Sequence, residues 1–124
     1  MMKRITVANA IINSNNELQL ELNSQDDLSG LKPSGQMLVD SEGLSFIYLL
    51  ENDDAYTYIS VPDTIWNTLK AVISDSLPVV VTNGREQLLL EQFQEELEYL
   101  IENIKGNSNY GEKMMNKVEA VFVN

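Results

Sequence analysis

Residues 44–51 read LSFIYLLE. Apolar side chains fall on both parities of this run, whereas a strand with one wet face alternates apolar and polar residues with period two. The run therefore predicts a central strand covered on both faces, and such a strand needs a neighbour on each side. The flanking sequence supplies them. QMLVDS at 36–41 and AYTYISV at 55–61 both have strand composition, and the turns between them fall around Glu42–Gly43 and Asn52–Asp54.

Further out, residues 3–12 and 17–22 predict a first hairpin. NSNN at 13–16 supplies turn residues, and ELQLEL alternates strictly, with Leu18, Leu20 and Leu22 toward the core. The polar stretch Asn23 to Ser34, which includes Pro33, predicts the longest loop. Pro62 suits the first turn of a helix. Ile65, Trp66, Leu69, Val72 and Ile73 then repeat at helical spacing to about Asp75, giving a helix that packs on the sheet. In PVVVTNGREQLLLE at 78–91, Asn83–Gly84 between two apolar runs predicts a tight hairpin with both turn residues at positive φ. Phe93, Leu97, Leu100, Ile101 and Ile104 form one helical stripe. A last amphipathic helix over 109–122 turns Met114, Val118, Val121 and Phe122 inward. The expected fold is one α+β domain over residues 1–124, with a mainly antiparallel sheet of about five to seven strands covered by about three helices, two of them C-terminal.

Composition narrows the function. The chain has 124 residues, is 44% hydrophobic, and contains neither cysteine nor histidine. Disulfides, thiolate nucleophiles, imidazole-based triads and His or Cys zinc sites are thereby excluded. Nineteen Asp and Glu against eight Lys and Arg give a formal charge of -11. Such a field repels phosphate backbones and anionic membranes, so the expected partner is a basic protein or a second copy, with no nucleic acid and no membrane. MMKRITVANAII begins with basic residues and contains an Ala8–Asn9–Ala10 sequence like a cleavage site, but only Ile5–Val7 precede it. An export signal needs about 7 to 15 apolar residues, so a cytoplasmic protein is expected.

The segment GNSNYGEK at 106–113 spaces two glycines and a lysine almost as a phosphate-binding loop does. A true loop of that kind follows a strand and reads Gly-Lys-Ser/Thr; here Glu112 separates Gly111 from Lys113, Met114 stands where the hydroxyl belongs, and a helix precedes it. Gly106 as a left-handed helix end, with Asn109 and Glu112 as a capping box, explains the residues better, and no nucleotide is expected. The blocks GQMLVDSEGLSFIYLLEN (35–52) and YLIENIKGNSNYGEKM (99–114) resemble a family of small uncharacterised proteins of low-GC Gram-positive bacteria. The likeness runs from about Gly35 to Phe122, while the first thirty residues match loosely. It implies a cytosolic bacterial protein of unknown role, and it carries over no activity, cofactor or site.

Other constellations have bland explanations. Phe46, Tyr48, Tyr56 and Tyr58 could form a base-stacking platform, but no basic surround accompanies them, and cross-strand aromatic packing is expected. Asp40 with Glu42 and Asp53 with Asp54 sit in turns, where such residues bond the local backbone, and neither has calcium-loop spacing; no metal is expected. Lys70 belongs to the wet face of its helix. Glu86, Glu91, Glu95, Glu96, Glu98 and Glu102 form a run without Lys or Arg. Like charges four apart disfavour a helix, and the benefit that offsets this is either solubility, which any acidic positions would provide, or recognition of a basic partner by this face, for which Glu91, Glu95, Glu98 and Glu102 are the candidate partner-binding residues. The expected function is a small acidic interaction domain without catalysis or cofactor. The alternative is a small-molecule-binding or enzymatic domain with a pocket between the sheet and the Trp66 helix.

Overall fold

The computed structural model describes residues 3–23, 25–53 and 55–123. Strand β5 (Ser45–Glu51) is the centre the sequence predicts, since every side chain from Ser45 to Leu50 is buried. It pairs antiparallel with β4 (Lys32–Asp40) and β6 (Tyr56–Pro62), and β1 (Lys3–Thr6) joins the far side of β6 in parallel. Phe46, Tyr48 and Leu50 enter the core. On the opposite face Arg4 reaches across from β1, donating to Asp40 at 2.8 Å and to Ser60 Oγ at 3.0 Å.

The expectation of one mainly antiparallel sheet of five to seven strands is corrected here. The described residues form two four-stranded mixed sheets, ordered β1-β6-β5-β4 and β2-β3-β7-β8. The second contains β2 (Asn9–Ile12), β3 (Leu18–Glu21), β7 (Val79–Thr82) and β8 (Gln87–Leu89), with β3 and β7 parallel. What was expected as one strand over 3–12 divides between the sheets. Val7 donates its N–H to Ser60 O at 2.9 Å in the first, and Ala8 donates to Glu21 O at 2.8 Å in the second. Two adjacent amides pointing opposite ways thus carry the chain across.

The stretch expected as a loop to Ser34 is shorter, because β4 already begins at Lys32 and absorbs Pro33 and Gly35 in a register shift. Before it, Leu28 is buried and its N–H donates to the Glu86 carboxylate at 3.2 Å, while Ser29 Oγ donates to the same carboxylate at 2.7 Å. The β7–β8 connection is wider than a two-residue turn. Only Gly84 has positive φ, and Asn83, 2% exposed, is a hub. Its Oδ1 accepts from the N–H groups of Arg85 and Glu86 at 2.9 and 2.8 Å, and its Nδ2 donates to Asp26 O at 2.6 Å.

Helix α1 (Trp66–Asp75) follows a 3₁₀ turn at Asp63–Ile65. Trp66 is wholly buried, its ring 4.8 Å from that of Phe46, and its Nε1–H donates to Val61 O at 3.0 Å. Helix α2 (Phe93–Ile104) buries the whole expected stripe. Gly106 has the left-handed φ of +67° that ends α2. The capping box is not formed: Asn107 caps a 3₁₀ turn at Ser108–Tyr110, and α3 (Glu112–Val118) starts after Gly111 with no side-chain cap bond. A π-helical turn, Glu119–Val123, continues α3 and lets Phe122 approach Trp66 with centroids 5.9 Å apart. One core cluster runs from Ile5 to Val121.

Candidate functional site: the outer face of helix α2

The start of α2 is docked on β4. Gly35, at φ +77°, leaves no room for a Cβ, because the side chain of Gln92 fills that space. Beside it the Tyr48 hydroxyl accepts from Gly35 N–H at 3.1 Å and donates to Glu91 O at 2.7 Å. Burial, reinforced by the charges of Glu91 and Glu96, pushes the Tyr48 pKa up to about 12, against the Gly35 hydrogen bond. Phe93 stacks on Tyr48 at 6.0 Å. Gln92 itself is left-handed, at φ +64°, so Glu91 lies before the helix proper.

With the inner stripe fixed this way, steps of three and four residues bring Glu95, Glu98, Tyr99 and Glu102 to one outer side. All four are exposed, and Tyr99 is 65% exposed. Glu91, also exposed, shares with Glu95 the rim of a cleft of about 230 Å³ between the end of α1 and the start of α2. Of the candidate residues, Glu95, Glu98 and Glu102 therefore lie along one side of the helix, and Glu91 precedes its start. Tyr99 was not among them. Its signal was present in the sequence, one turn beyond Glu95 and off the apolar stripe.

The carboxylates differ in what the fold asks of them. Glu86 belongs to the turn: Ser29, then Asn83 and the Leu28 amide, hydrogen-bond its carboxylate and hold its pKa below the usual range. Glu95 and Glu96 occupy the first turn of α2, where the helix dipole favours negative charge. Glu98 accepts a hydrogen bond from Gln94 at 3.2 Å. Glu102 sits at the unfavourable end and meets Lys105 at 3.5 Å, with both side chains largely in water, so the pair contributes well under about 1 kcal/mol. Local structure thus accounts for Glu86 fully and for Glu102 least.

Glu98 and Glu102 also border a cleft of about 410 Å³ between α1, α2 and the C-terminal turn, lined by Ile73, Ile101, Lys105, Phe122 and Val123. By contrast, the space between the first sheet and α1 is filled by Trp66, Phe46, Leu69 and Val72, each fully buried. An apolar floor flanked by carboxylates can receive a large apolar side chain and pair with cations beside it.

The other sequence candidates are dispersed. Tyr48 faces the core opposite Ile59, whereas Tyr58 stands opposite Leu49 on the reverse face, so the expected cross-strand aromatic packing is not formed and the four rings make no platform. Asp40 bonds Arg4 and the Gly43 amide, and these two hold its pKa low. Asp53 is exposed, and its neighbour Asp54 lies outside the described residues. Lys70 and Lys113 are exposed, and Lys113 follows a connector between two helices. Among the described residues no helix is long and apolar enough to cross a membrane.

Fold and surface together define a small acidic α+β protein with a charged helix face beside an apolar cleft. The chain belongs to the UPF0738 family, a family of unknown function whose model matches residues 5–122. It is 42% identical to the UPF0738 protein YjbL of Bacillus subtilis strain 168 over 99% of this chain and 100% of that one. A relative from Bacillus licheniformis is 40% identical over the same shares, and one from Geobacillus sp. strain WCH70 is 43% identical over 77% of each chain. No solved structure matches the chain.

Proposed function

We propose that this chain is a cytoplasmic recognition domain without chemistry of its own, and that the outer face of α2 binds a basic segment of another protein. The observation that carries this is Tyr99, 65% exposed between Glu95, Glu98 and Glu102 on one helix face. An exposed tyrosine contributes nothing to the core, whereas tyrosine is among the commonest anchors of protein interfaces. The adjoining cleft would take an apolar side chain of the segment, and Glu95, Glu98 and Glu102 would pair with its lysines or arginines.

The test begins with affinity capture from the native cell, comparing the wild type with a Tyr99→Ser, Glu98→Gln, Glu102→Gln variant. A protein retained by the first and released by the second is then purified and titrated calorimetrically at several salt concentrations. The expected result is a salt-sensitive affinity that falls at least about tenfold in the variant, roughly 1.4 kcal/mol. Equal affinity and equal salt dependence would remove the acidic face from the interaction.

A second reading draws on the size of the cleft, about 410 Å³, which lies within the range of small-molecule sites. Native mass spectrometry of protein purified from its own cell would reveal such a ligand as added mass displaced by Ile101→Trp.

A further inference from the structure

Two four-stranded sheets have four edges, and three of them are blocked. Strand β1 carries the charged, exposed Lys3. Strand β4 has Pro33 and a register shift between Pro33 and Met37, both of which interrupt an edge ladder. Strand β8 is only three residues long and lies close to β4. Strand β2 has none of these devices. Its sequence is Asn-Ala-Ile-Ile, with no charge, proline or bulge, and Ile11 and Ile12 are 38% and 48% exposed.

The hairpin fixes which groups point outward. Asn13 donates to Glu17 O at 3.0 Å, and Asn16, at φ +61°, closes the turn back to Asn13 O. Hydrogen-bonded pairs alternate from there, so Ile11 opposite Gln19 and Asn9 opposite Glu21 bond to β3. Ala10 and Ile12 then direct their N–H and C=O groups away from the sheet. On the inner face Ala10 packs on the core and stands opposite Leu20, while Ile12 stands opposite the wholly buried Leu18. The core layer runs off this edge at Ile12.

We propose that β2 is a self-pairing edge through which two copies of the chain form an antiparallel dimer, joining their second sheets into one. About a two-fold axis at Ile11, the outward groups of Ala10 meet those of Ile12 in the other copy, so both strands satisfy their free N–H and C=O groups. The Ile11 side chains meet at the close, non-hydrogen-bonded spacing on the outer face, and each Ile12 continues the apolar layer of the other copy. Asn9 comes opposite Asn13. No carboxylate faces a carboxylate across the pair, and the nearby Glu21 and Glu17 each accept a hydrogen bond from Asn9 or Asn13 at 3.1 and 3.0 Å. In a chain of net charge -11 an uncharged, self-complementary strand favours a second copy over a basic partner, since the nearest carboxylates, Glu17 and Glu21, are already engaged by Asn13 and Asn9.

Sedimentation equilibrium over a concentration series is the test. The weight-average mass should rise from 14.0 kDa toward twice that value. Ile11→Lys, which opposes two ammonium groups at the axis, and Ala10→Pro, which deletes an outward donor, should each hold it at 14.0 kDa. Leu89→Lys on the β8 edge, and the α2 variant with Glu98→Gln and Glu102→Gln, should dimerise as the wild type does. A wild type that stays at 14.0 kDa to its solubility limit overturns the proposal, and so does a dimer that survives Ile11→Lys or is lost with Leu89→Lys. Hydrogen exchange on the wild type gives a reading free of folding defects in the variants. Protection of the Ala10 and Ile12 amides should grow with concentration, and concentration-independent exchange there contradicts the pairing.

Discussion

The two faces of α2 carry residues of opposite explicability. Phe93, Leu97, Leu100, Ile101 and Ile104 are buried, and each is there because the core requires it. Glu98, Tyr99 and Glu102 lie on the other side in water, where solubility alone would not call for an exposed tyrosine or for acid at the end of the helix. A position the fold explains says little about function, so the informative positions are those left over once packing, capping and turn chemistry have been assigned.

That division can be broken or sharpened by substitution. Trp66→Ala should give the largest effect, a loss of about 3–5 kcal/mol in denaturant unfolding, since it vacates a wholly buried site against Phe46 and Phe122 and removes the indole hydrogen bond to Val61 O. An unchanged midpoint would move Trp66 to the unexplained class. Asn83→Ala comes next, at about 1–3 kcal/mol, because it removes the side-chain acceptor of the Arg85 and Glu86 amides and the donor to Asp26 O. Hydrogen exchange should show the loss concentrated in β7, β8 and the segment before β4; a uniform loss would contradict the hub.

Tyr48→Phe should be milder, about 1 kcal/mol at neutral pH, through the loss of its bonds to Gly35 and Glu91. It also has a pH signature. The folded pKa is raised from 10.0 to about 12, so the contribution of neutral Tyr48 is fully present below pH 10.0 and is lost as pH rises toward about 12. The wild type should weaken over that window more steeply than Tyr48→Phe. Parallel alkaline curves would mean that the hydroxyl is not held as described.

Much of this arrangement was legible in the sequence, and the failures share a cause. Period and turn chemistry are local, and they identified β5, the stripes of α1 and α2, and Gly106 as a helix end. Which sheet a strand joins is not local. Nothing in KRITVANAII marks Val7 and Ala8 as the place where one amide turns to Ser60 and the next to Glu21, and the parallel pairs β1–β6 and β3–β7 join segments far apart in the chain. The Asn83–Gly84 pair signalled a turn correctly but not its width, because the width depends on Thr82 and Glu86. Thr82 Oγ1 donates to Glu86 O at 2.7 Å and leaves Asn83 free to reach Asp26. At the candidate site the acidic residues stood out by charge. Tyr99 did not, because an aromatic counts as core until the helix phase shows it facing outward.

The smallest expected effect on stability is also the most telling. Equilibrium unfolding of the Tyr99→Ser, Glu98→Gln, Glu102→Gln variant tests directly whether the outer face of α2 serves recognition and not the fold. Removing like charges at neighbouring helical positions should leave the midpoint within about 0.5 kcal/mol of the wild type, or raise it slightly. A loss of more than about 1 kcal/mol would show that these side chains hold the structure together, and the face would then have no surplus for a partner to use.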